Sequence, residues 1–311
     1  SSDLLTASQQ SWRKPKTDRL IIINLPDNSS RVQALLSGQI DIAGNVGVDD
    51  IDTLEAAGMI GAVGRAMSVM SMGLRVEGGP SEALKDVRVR QALNYAIDKA
   101  AINQALLRAL SPPAGQPAAR EVVGHNPDVK PYPYDPAKAK ALLAEAGYPN
   151  GFPMRFEVMV DRTPGDRGVF EALANQLGKV GVPTTLKIVT YGSWMDSYLG
   201  NTWDKDTDGF VLSFNAAPYN DVARPMEIYS CLRPNAFFCD KALAAKLVAS
   251  NEETDVDKRL AMLNELARLF HDAAPAIYLG EQFDVFGVSK KLEGFTIANR
   301  APVYENIGVK K

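Results

Sequence analysis

The sequence has few of the residues on which enzymes and metalloproteins often depend. Its 311 residues include two histidines, His125 and His271, and two cysteines, Cys231 and Cys239. The motifs HExxH, GxxxxGK[ST] and GxSxG do not occur. The glycines of Gly58–Gly64 have the wrong spacing for a dinucleotide-binding loop. We therefore expect a protein without catalytic activity, without a cofactor and without a metal centre.

Long hydrophobic runs and an excess of basic charge are also missing. The longest apolar segments, Leu20–Ile23 and Met67–Leu74, are far shorter than the roughly 20 residues that span a bilayer. The net charge is -3, and no Lys/Arg cluster of the kind that binds nucleic acid is present. The first ten residues lack the basic end and apolar middle of a signal peptide. These features favour a small-molecule or protein partner over nucleic acid.

The length and the alternation of elements predict an α/β protein with two lobes. Leu20–Leu25 is apolar and β-branched, which predicts a strand buried on both faces. A helix is expected at Arg31–Ser37, a short strand at Gln39–Gly44, and another helix from Asp49 or Asp50. This β-α-β-α order predicts a parallel sheet with covering helices.

The segment Leu84–Leu107 predicts two consecutive helices with one buried stripe. Three apolar residues recur every fourth position: Val89, Leu93 and Ile97. Asp86 is placed to cap the first helix, and Asp98 to cap the second. Arg90 lies on a more polar stripe of the first helix, two residues after Arg88. The spacing explains the helices but not the choice of arginine at both positions.

The two cysteines predict a disulfide. Seven residues separate Cys231 from Cys239, and Arg233-Pro234-Asn235 between them is typical of a turn. Such a bridge stabilises by roughly 2–4 kcal/mol, with a short loop at the low end. It also implies an oxidising compartment. The alternative is two separately buried thiols, while the spacing excludes a CxxC zinc or redox motif.

The segment Asp204–Asn215 has the opening of a calcium-binding loop. Its acidic residues stand at positions one, three and five, and Gly209 follows at position six. Asn215 stands at position twelve, where a glutamate supplies bidentate ligation. A strand-like run follows Gly209, where a calcium loop of this type needs a helix. The interpretation we prefer is a solvent-facing turn ahead of a strand.

Five segments carry a resemblance to a known family and cover nearly the whole chain. They are "SGQIDIA" (37–43), "LKDVRVRQALNYAIDKAAI" (84–102), "YPYDPAKAKALLAEAGYPNGF" (132–152), "WDKDTDGFVLSFNAAPYND" (203–221) and "RLFHDAAPAIYLGEQFDVFGVSKKLEGF" (268–295). In this order they resemble the extracytoplasmic solute-binding proteins of ABC transporters, family 5, of peptide, nickel and opine type. In such proteins the arginines of the "VRVRQAL" helix resemble scaffold, not ligand contacts.

The resemblance implies a periplasmic-binding-protein type II-like fold, with two lobes of mixed sheets flanked by helices. Residues 1–75 and 280–311 would form part of lobe I, and residues 76–279 would form lobe II. Members of the family begin with a strand and an inserted subdomain that this sequence does not contain. The chain therefore resembles the C-terminal portion of a longer protein, with an incomplete first lobe.

The resemblance also implies a function. The protein would bind an oligopeptide or similar small solute in an interlobe cleft, as a monomer, and deliver it to a permease from the periplasm. The cleft residues carried over by position are Gly44, Asn45, Val46, Met70, Met72, Gly115, Gln116, Trp194, Ser213, Phe214, Asn215 and Tyr219. The alternative is the ligand-sensing domain of a transcription regulator with the same fold.

Two positions depart from the family pattern. Peptide-binding relatives often place an aspartate soon after the strand that matches "GFVLSF", where it pairs with the peptide's α-amino group. Here the only acid of residues 215–221 is Asp221, at the end of that stretch. Arg75 stands at the hinge strand, where a solvated or ion-paired arginine is favoured over one that contacts an anionic ligand.

Overall fold

The computed structural model describes residues 2–8 and 10–310. The first elements are β1 (Ser2–Thr6), β2 (Arg19–Ile23), α1 (Asn28–Leu36), β3 (Ile42–Gly44), α2 (Asp50–Ala56) and β4 (Ile60–Leu74). The middle of the chain forms α3 (Val87–Tyr95), α4 (Lys99–Leu106), α5 (Pro136–Glu145), β5 (Met154–Val158), α6 (Asp166–Lys179), β6 (Thr184–Ile188), α7 (Tyr191–Gly200), β7 (Gly209–Leu212) and α8 (Ala223–Ile228). The last elements are α9 (Lys241–Glu252), α10 (Val256–Ala273), β8 (Ala276–Val288), β9 (Leu292–Glu293), β10 (Ile297–Ala298), β11 (Ala301–Pro302) and β12 (Gly308–Val309). Within the described residues, no helix combines the length and apolar character that crossing a membrane requires.

The chain divides into two compact units. Unit 1 takes in Ser1–Ala66, Arg162–Gly165 and Phe283–Lys311, and unit 2 takes in Met67–Asp161 and Asp166–Gln282. The strands β4 and β8 carry the chain from one unit to the other. Unit 1 ends at residue 66 and resumes at residue 283, whereas the expected boundaries of lobe I are 75 and 280. The assignment of the units to two lobes stays a prediction.

The main sheet is mixed, as predicted. Its strand order is β3-β8-β4-β7-β5-β6. In unit 1, β3 pairs antiparallel with the end of β8, with Ala43 opposite Gly287. In unit 2, β4 pairs antiparallel with β7, whereas β5 pairs parallel with both β6 and β7. The parallel sheet expected near the N-terminus is therefore wrong, because the partner of β3 is a strand from the far end of the sequence.

The strand β2 is correctly predicted, but its burial is not. It pairs antiparallel with β1 in a two-stranded sheet. Ile21 is 61% exposed, and Ile22 and Ile23 are about two-fifths exposed. Burial on both faces requires layers that cover both faces of the sheet. The exposed isoleucines show that the two-stranded sheet of β1 and β2 lacks such cover.

Unit 1 has its own small core around β8. A β-carbon added at Gly287 would lie 2.5 Å from Leu35 of α1 and 2.9 Å from Leu54 of α2. Both leucines are fully buried. The absence of a side chain at position 287 therefore lets the two helices pack directly on the strand. Phe286 and Val288 belong to a second buried cluster on this strand.

Unit 2 confirms the helix pair predicted from sequence. Asp86 accepts a hydrogen bond from the Arg88 N–H at the start of α3, and Asp98 accepts one from the Ala101 N–H at the start of α4. The predicted stripe is fully buried: Val89, Leu93 and Ile97. Local capping and apolar spacing thus determine these helices.

Candidate functional site

The candidate site is built around the loop that Cys231 and Cys239 close. Their sulfur atoms are 2.08 Å apart, which confirms the predicted disulfide. Inside the loop, Asn235 adopts a positive φ of 55°. Its Nδ2 donates to the carbonyl oxygen of Leu199 at 2.9 Å. The covalently closed loop is thereby fixed against the C-terminal end of α7.

Arg233 makes the second link between this loop and α7. Its Nη2 donates to the carbonyl oxygen of Tyr198 at 3.0 Å, and its guanidinium carbon lies 3.8 Å from the centre of the Tyr198 ring. The Tyr198 ring in turn stacks on Trp194 at 4.8 Å. Trp194 is buried, and its Nε1 donates to the carbonyl oxygen of Val211 on β7. A stack of cation and two rings therefore runs from the loop to the sheet.

The segment after β7 forms the other side of the candidate site. Phe214 and Tyr219 lie with ring centres 6.2 Å apart, and Tyr219 is 57% exposed. The Arg224 guanidinium of α8 lies 5.6 Å from the first ring and 5.5 Å from the second. Arg224 also pairs with Glu227 one turn later, and the hydrogen bond to Glu227 raises the pKa of Arg224. The rings of Phe214 and Tyr219 and the guanidinium of Arg224 thus form one cluster.

These two sides meet at a pocket of about 380 Å³ within unit 2. Its lining includes Tyr198, Leu199, Arg224, Glu227, Leu232 and Arg233. A volume of this size holds a small ligand. Burial lowers the pKa of Arg233 and raises the pKa of Tyr198, yet a guanidinium keeps its charge at neutral pH. The pocket therefore combines two permanent cations with aromatic and aliphatic walls.

Two carboxylates, one on α8 and one just before it, already have partners. Glu227 accepts from Arg224 through Oε2 and from Asn251 through Oε1. Asp221 lies before α8, where its Oδ1 accepts from the Ala223 N–H at 2.8 Å. Its Oδ2 lies 2.7 Å from Nη1 of Arg259. Both acids are engaged by groups of the protein itself.

The structure brings some of the predicted site residues together. Trp194 contacts the pocket through Tyr198, and Phe214 and Tyr219 contact it through Arg224. Ser213 is exposed beside them. Asn215 is half-buried, and its Oδ1 accepts from the Ala217 N–H at 3.1 Å. Their role as ligand contacts stays a prediction.

Gly115 and Gln116 lie elsewhere in unit 2, on a tightly bonded loop. The amide of Gln116 is 1% exposed and bonds to Asn126 at both ends, through Nε2 to the carbonyl oxygen and through Oε1 from the N–H. The Gly115 carbonyl oxygen is 2.9 Å from Nδ1 of His271. These contacts give both residues a structural role, and their contribution to a ligand site stays a prediction.

Met70 and Met72 on β4 have little or no exposed surface. Met70 is 8% exposed and Met72 is fully buried. Between them, the Ser71 hydroxyl bonds to the Tyr229 hydroxyl at 2.7 Å. Because side chains alternate along a strand, Ser71 lies on the opposite face of β4 from the two methionines. The burial of Met70 and Met72 themselves indicates a packing role, and ligand contact at these positions stays a prediction.

The last predicted group, Gly44, Asn45 and Val46, belongs to unit 1. Asn45 has a positive φ of 51°, and its carbonyl oxygen accepts from Nη2 of Arg31 at 2.8 Å. The Val46 side chain is fully buried, and its N–H donates to the Val285 carbonyl oxygen at 3.0 Å. The turn after β3 is therefore fixed by its neighbours, and its part in ligand binding stays a prediction.

The segment at residues 204–208 forms a turn ahead of β7, as the sequence indicates, but Thr207 and Asp208 in this turn are buried and do not face solvent. Asp204 pairs with Lys187, and Asp206 with Arg155. Asp208 accepts from the Arg155 N–H at 2.8 Å. The carboxylates of this turn thus face cations of neighbouring strands. Over residues 2–8 and 10–310, no group of three or more acidic, histidine or cysteine side chains is arranged to hold a metal ion.

Arg75 differs in part from its predicted state. It is 5% exposed, and its Nη1 donates to the Thr207 carbonyl oxygen and its Nη2 to the Gly78 carbonyl oxygen, both at 2.6 Å. Burial lowers its pKa, and the nearby Asp208 opposes that shift. The expectation of a solvated arginine is wrong, because Arg75 is buried inside unit 2 and two backbone carbonyls bind its Nη atoms. The carboxylates of Asp208 and Glu157 supply nearby negative charge, as the ion-paired alternative implies.

None of the described residues that line the pocket was predicted as a site residue, and among them are Tyr198, Arg224 and Arg233. The sequence shows Arg233 in the turn between the two cysteines. An arginine fixed in a short disulfide-closed loop was a usable indication of a binding residue. Nothing in the spacing of Tyr198 or Arg224 indicates a shared pocket, because they lie on different helices.

A second pocket lies in unit 1. It measures about 430 Å³ and is lined by residues of the hairpin region 5–20 together with Tyr304 and Glu305. Glu305 pairs there with Arg13 at 2.9 Å. The unit 2 pocket is the better candidate, because the predicted residues Trp194, Phe214 and Tyr219 adjoin it.

Known structures share this fold. A dipeptide-binding protein from Pseudoalteromonas sp. SM9913, solved with Met-Leu, matches with a TM-score of 0.86 at 19% identity, over 99% of this chain and 62% of its own. The periplasmic binding protein DppA from Helicobacter pylori, solved with the peptide STSA, matches with a TM-score of 0.84 at 22% identity, over 99% and 60%. The fold is that of the type II periplasmic binding proteins, as predicted.

Sequence comparisons give the family. Heme-binding protein A of Haemophilus influenzae is 28% identical over 298 residues, which are 93% of this chain and 53% of that protein. The dipeptide-binding protein of Escherichia coli is 29% identical over 295 residues, or 91% and 54%. The chain thus spans about half the length of these relatives. The family model described as bacterial extracellular solute-binding proteins, family 5 Middle, matches residues 4–235. This chain therefore belongs to the family 5 bacterial extracellular solute-binding proteins.

Proposed function

We propose that the protein carrying this chain is the solute-binding component of an ABC import system. It binds an oligopeptide or a similar small solute and delivers it to a permease in the membrane. The observation that supports this most is the match of residues 4–235 to the family 5 model. Proteins of this family are transport components without enzymatic activity, in agreement with the missing catalytic motifs.

The proposal places the protein in the periplasm as a monomer. The disulfide between Cys231 and Cys239 supports an oxidising compartment. The same bridge argues against a ligand-sensing domain of a cytosolic regulator, since the cytosol keeps most thiols reduced. The pocket in unit 2, with its cations and rings, supports a role in holding a small solute.

Native mass spectrometry of the protein purified from the periplasmic fraction of its host tests the proposal. We expect a co-purified small molecule that remains bound under native conditions and is released on denaturation. The cytosolic fraction serves as the control. Recovery of the protein mainly from the cytosol, bound to DNA, would refute the transport role and favour the regulator.

A further inference from the structure

The charge balance of the unit 2 pocket indicates the kind of solute group that it accepts. Its described lining contains two cations, Arg224 and Arg233, and one acid, Glu227. Since Glu227 already pairs with Arg224, the positive charge of Arg233 has no opposing carboxylate in that lining. A cation in a half-buried pocket attracts an anion more strongly than one in open water, because the local dielectric constant is lower.

Arg233 also has hydrogen-bond donors to offer. A guanidinium carries five N–H groups. One donates to the Tyr198 carbonyl oxygen and another to the Pro234 carbonyl oxygen. Among the described residues, the other N–H groups of Arg233 have no protein acceptor. The ring of Tyr198 holds the guanidinium plane, so these donors are already oriented before a ligand arrives.

An amino group of the solute would need a carboxylate partner, and the acids in this region are already bound by protein groups. Glu227 is bound by Arg224 and Asn251, and Asp221 by Arg259 and the Ala223 N–H. A cationic group of the solute would have to displace one of these partners and would also face the two guanidinium groups. The remaining walls, which include Leu199 and Leu232, suit apolar or aromatic parts of a ligand.

We propose that this pocket binds a carboxylate of the solute through Arg233, with Arg224 as the second cation, while the adjoining aromatic and aliphatic walls contact an apolar part of the same molecule. The inference rests on the proposed function and names its substrate class as an anionic, amphiphilic solute such as an acidic or N-blocked peptide. The disulfide loop holds Arg233 in place, which links the bridge to recognition.

Three probes with the same ring separate charge from shape: N-acetylphenylalanine (anionic), N-acetylphenylalaninamide (neutral) and phenylalaninamide (cationic). Isothermal titration calorimetry with the full chain is expected to show the anion binding at least about tenfold more tightly than the neutral amide, the difference expected for a charge-assisted hydrogen bond. The cation is expected to bind most weakly. Equal binding of all three, or binding of none, would overturn the inference.

Variants assign the preference to the two arginines. Arg233→Gln and Arg224→Gln are expected to lose most of the preference for the anion. Arg233→Lys keeps the charge, so it is expected to retain the preference even where it loosens the loop. The matched control is Arg167→Gln on α6, an exposed arginine that pairs with Asp161 outside the pocket, which is expected to leave the preference unchanged. A preference that persists in both glutamine variants would sink the inference.

Failure of this inference and failure of the proposed function are distinguishable. A neutral or cationic solute that co-purifies with the periplasmic protein, and whose affinity the Arg233→Gln variant does not change, refutes the anionic class and leaves the transport role intact. A co-purified anionic solute whose affinity falls in Arg233→Gln supports both.

Discussion

Arg90 of α3 donates two hydrogen bonds, from Nε and Nη2, to the carbonyl oxygen of Ala273 at the end of α10, at 2.9 and 2.8 Å. Its Nη1 donates to the carbonyl oxygens of Leu84 and Lys85 at 2.8 and 3.0 Å. One buried cation therefore binds three carbonyl groups, one at the end of α10 and two just ahead of α3. This is the scaffold role that the family resemblance implied for this arginine.

Replacement of Arg90 by glutamine is expected to lower the free energy of unfolding by about 2–4 kcal/mol, because buried carbonyl groups lose their donors. The matched control is Arg88→Gln in the same helix. Arg88 is exposed and pairs with Asp86, so its loss is expected to cost less than about 1 kcal/mol. Urea unfolding of the two variants measures the difference. Equal losses would contradict the distinction drawn between the two arginines.

The helices of unit 2 were predictable because their signals are local. Asp86 and the fully buried Val89 and Leu93 stand within a few positions of one another, so capping and spacing suffice. The orientation of β3 was not predictable in this way. Its partner β8 lies more than 200 positions later, and no local pattern records whether two such strands run parallel or antiparallel.

The candidate site was predictable only in part, for the same reason. The cysteine pair and the aromatic residues near β7 were visible in the sequence. The pocket also needs Tyr198 from α7, Arg224 from α8 and Arg233 from the disulfide loop. Tyr198 and Arg224 have an ordinary local context, and only the fold places them around one space with Arg233.

Removal of the disulfide is expected to cost about 2–3 kcal/mol of unfolding free energy, because the closed loop is short. The variant replaces Cys231 and Cys239 together by serine, and urea unfolding with and without reductant gives the loss. The wild type in reductant should resemble the double variant, and reductant should leave the double variant unchanged. A reductant effect on the double variant would contradict the assignment of the loss to this bridge.

The same double variant is expected to weaken binding of N-acetylphenylalanine if the loop positions Arg233. The bonds from Arg233 and Asn235 to α7 are the contacts at risk once the loop opens. Titration below the unfolding temperature measures the effect. Unchanged affinity in a folded double variant would show that the loop holds Arg233 without the bridge.

Asp221 is expected to contribute to stability and not to anion recognition. Asp221→Ala removes both the acceptor for the Ala223 N–H and the ion pair with Arg259, at a cost of about 1–2 kcal/mol. Asp221→Asn keeps an acceptor and is expected to cost less. A double-mutant cycle with Arg259→Gln isolates the ion pair. Loss of solute binding in a stably folded Asp221→Asn variant would instead make this acid the solute anchor.

Lys99, at the start of α4, is expected to make stability depend on pH. Its side chain is buried, with Nζ 3.3 Å from Oδ1 of Asn94 and 5.6 Å from the centre of the Tyr132 ring. Burial lowers its pKa to about 7. In the unfolded chain the pKa of a lysine side chain is about 10.4. Between these two values the unfolded state binds more protons than the folded state, so the stability of the wild type rises with pH.

Replacement of Lys99 by methionine removes this titration. We expect Lys99→Met to be more stable than the wild type below pH 7, where the buried ammonium is charged. Its advantage should shrink above pH 7 by up to about 1.4 kcal/mol per pH unit. Urea unfolding at about pH 6, 7.5 and 9 measures the difference in unfolding free energy between Lys99→Met and the wild type across this pH range. The control, Lys246→Met, removes an exposed partner of Glu265 and is expected to run parallel to the wild type. A Lys99→Met curve that also runs parallel would mean that Lys99 keeps an ordinary pKa in the folded protein.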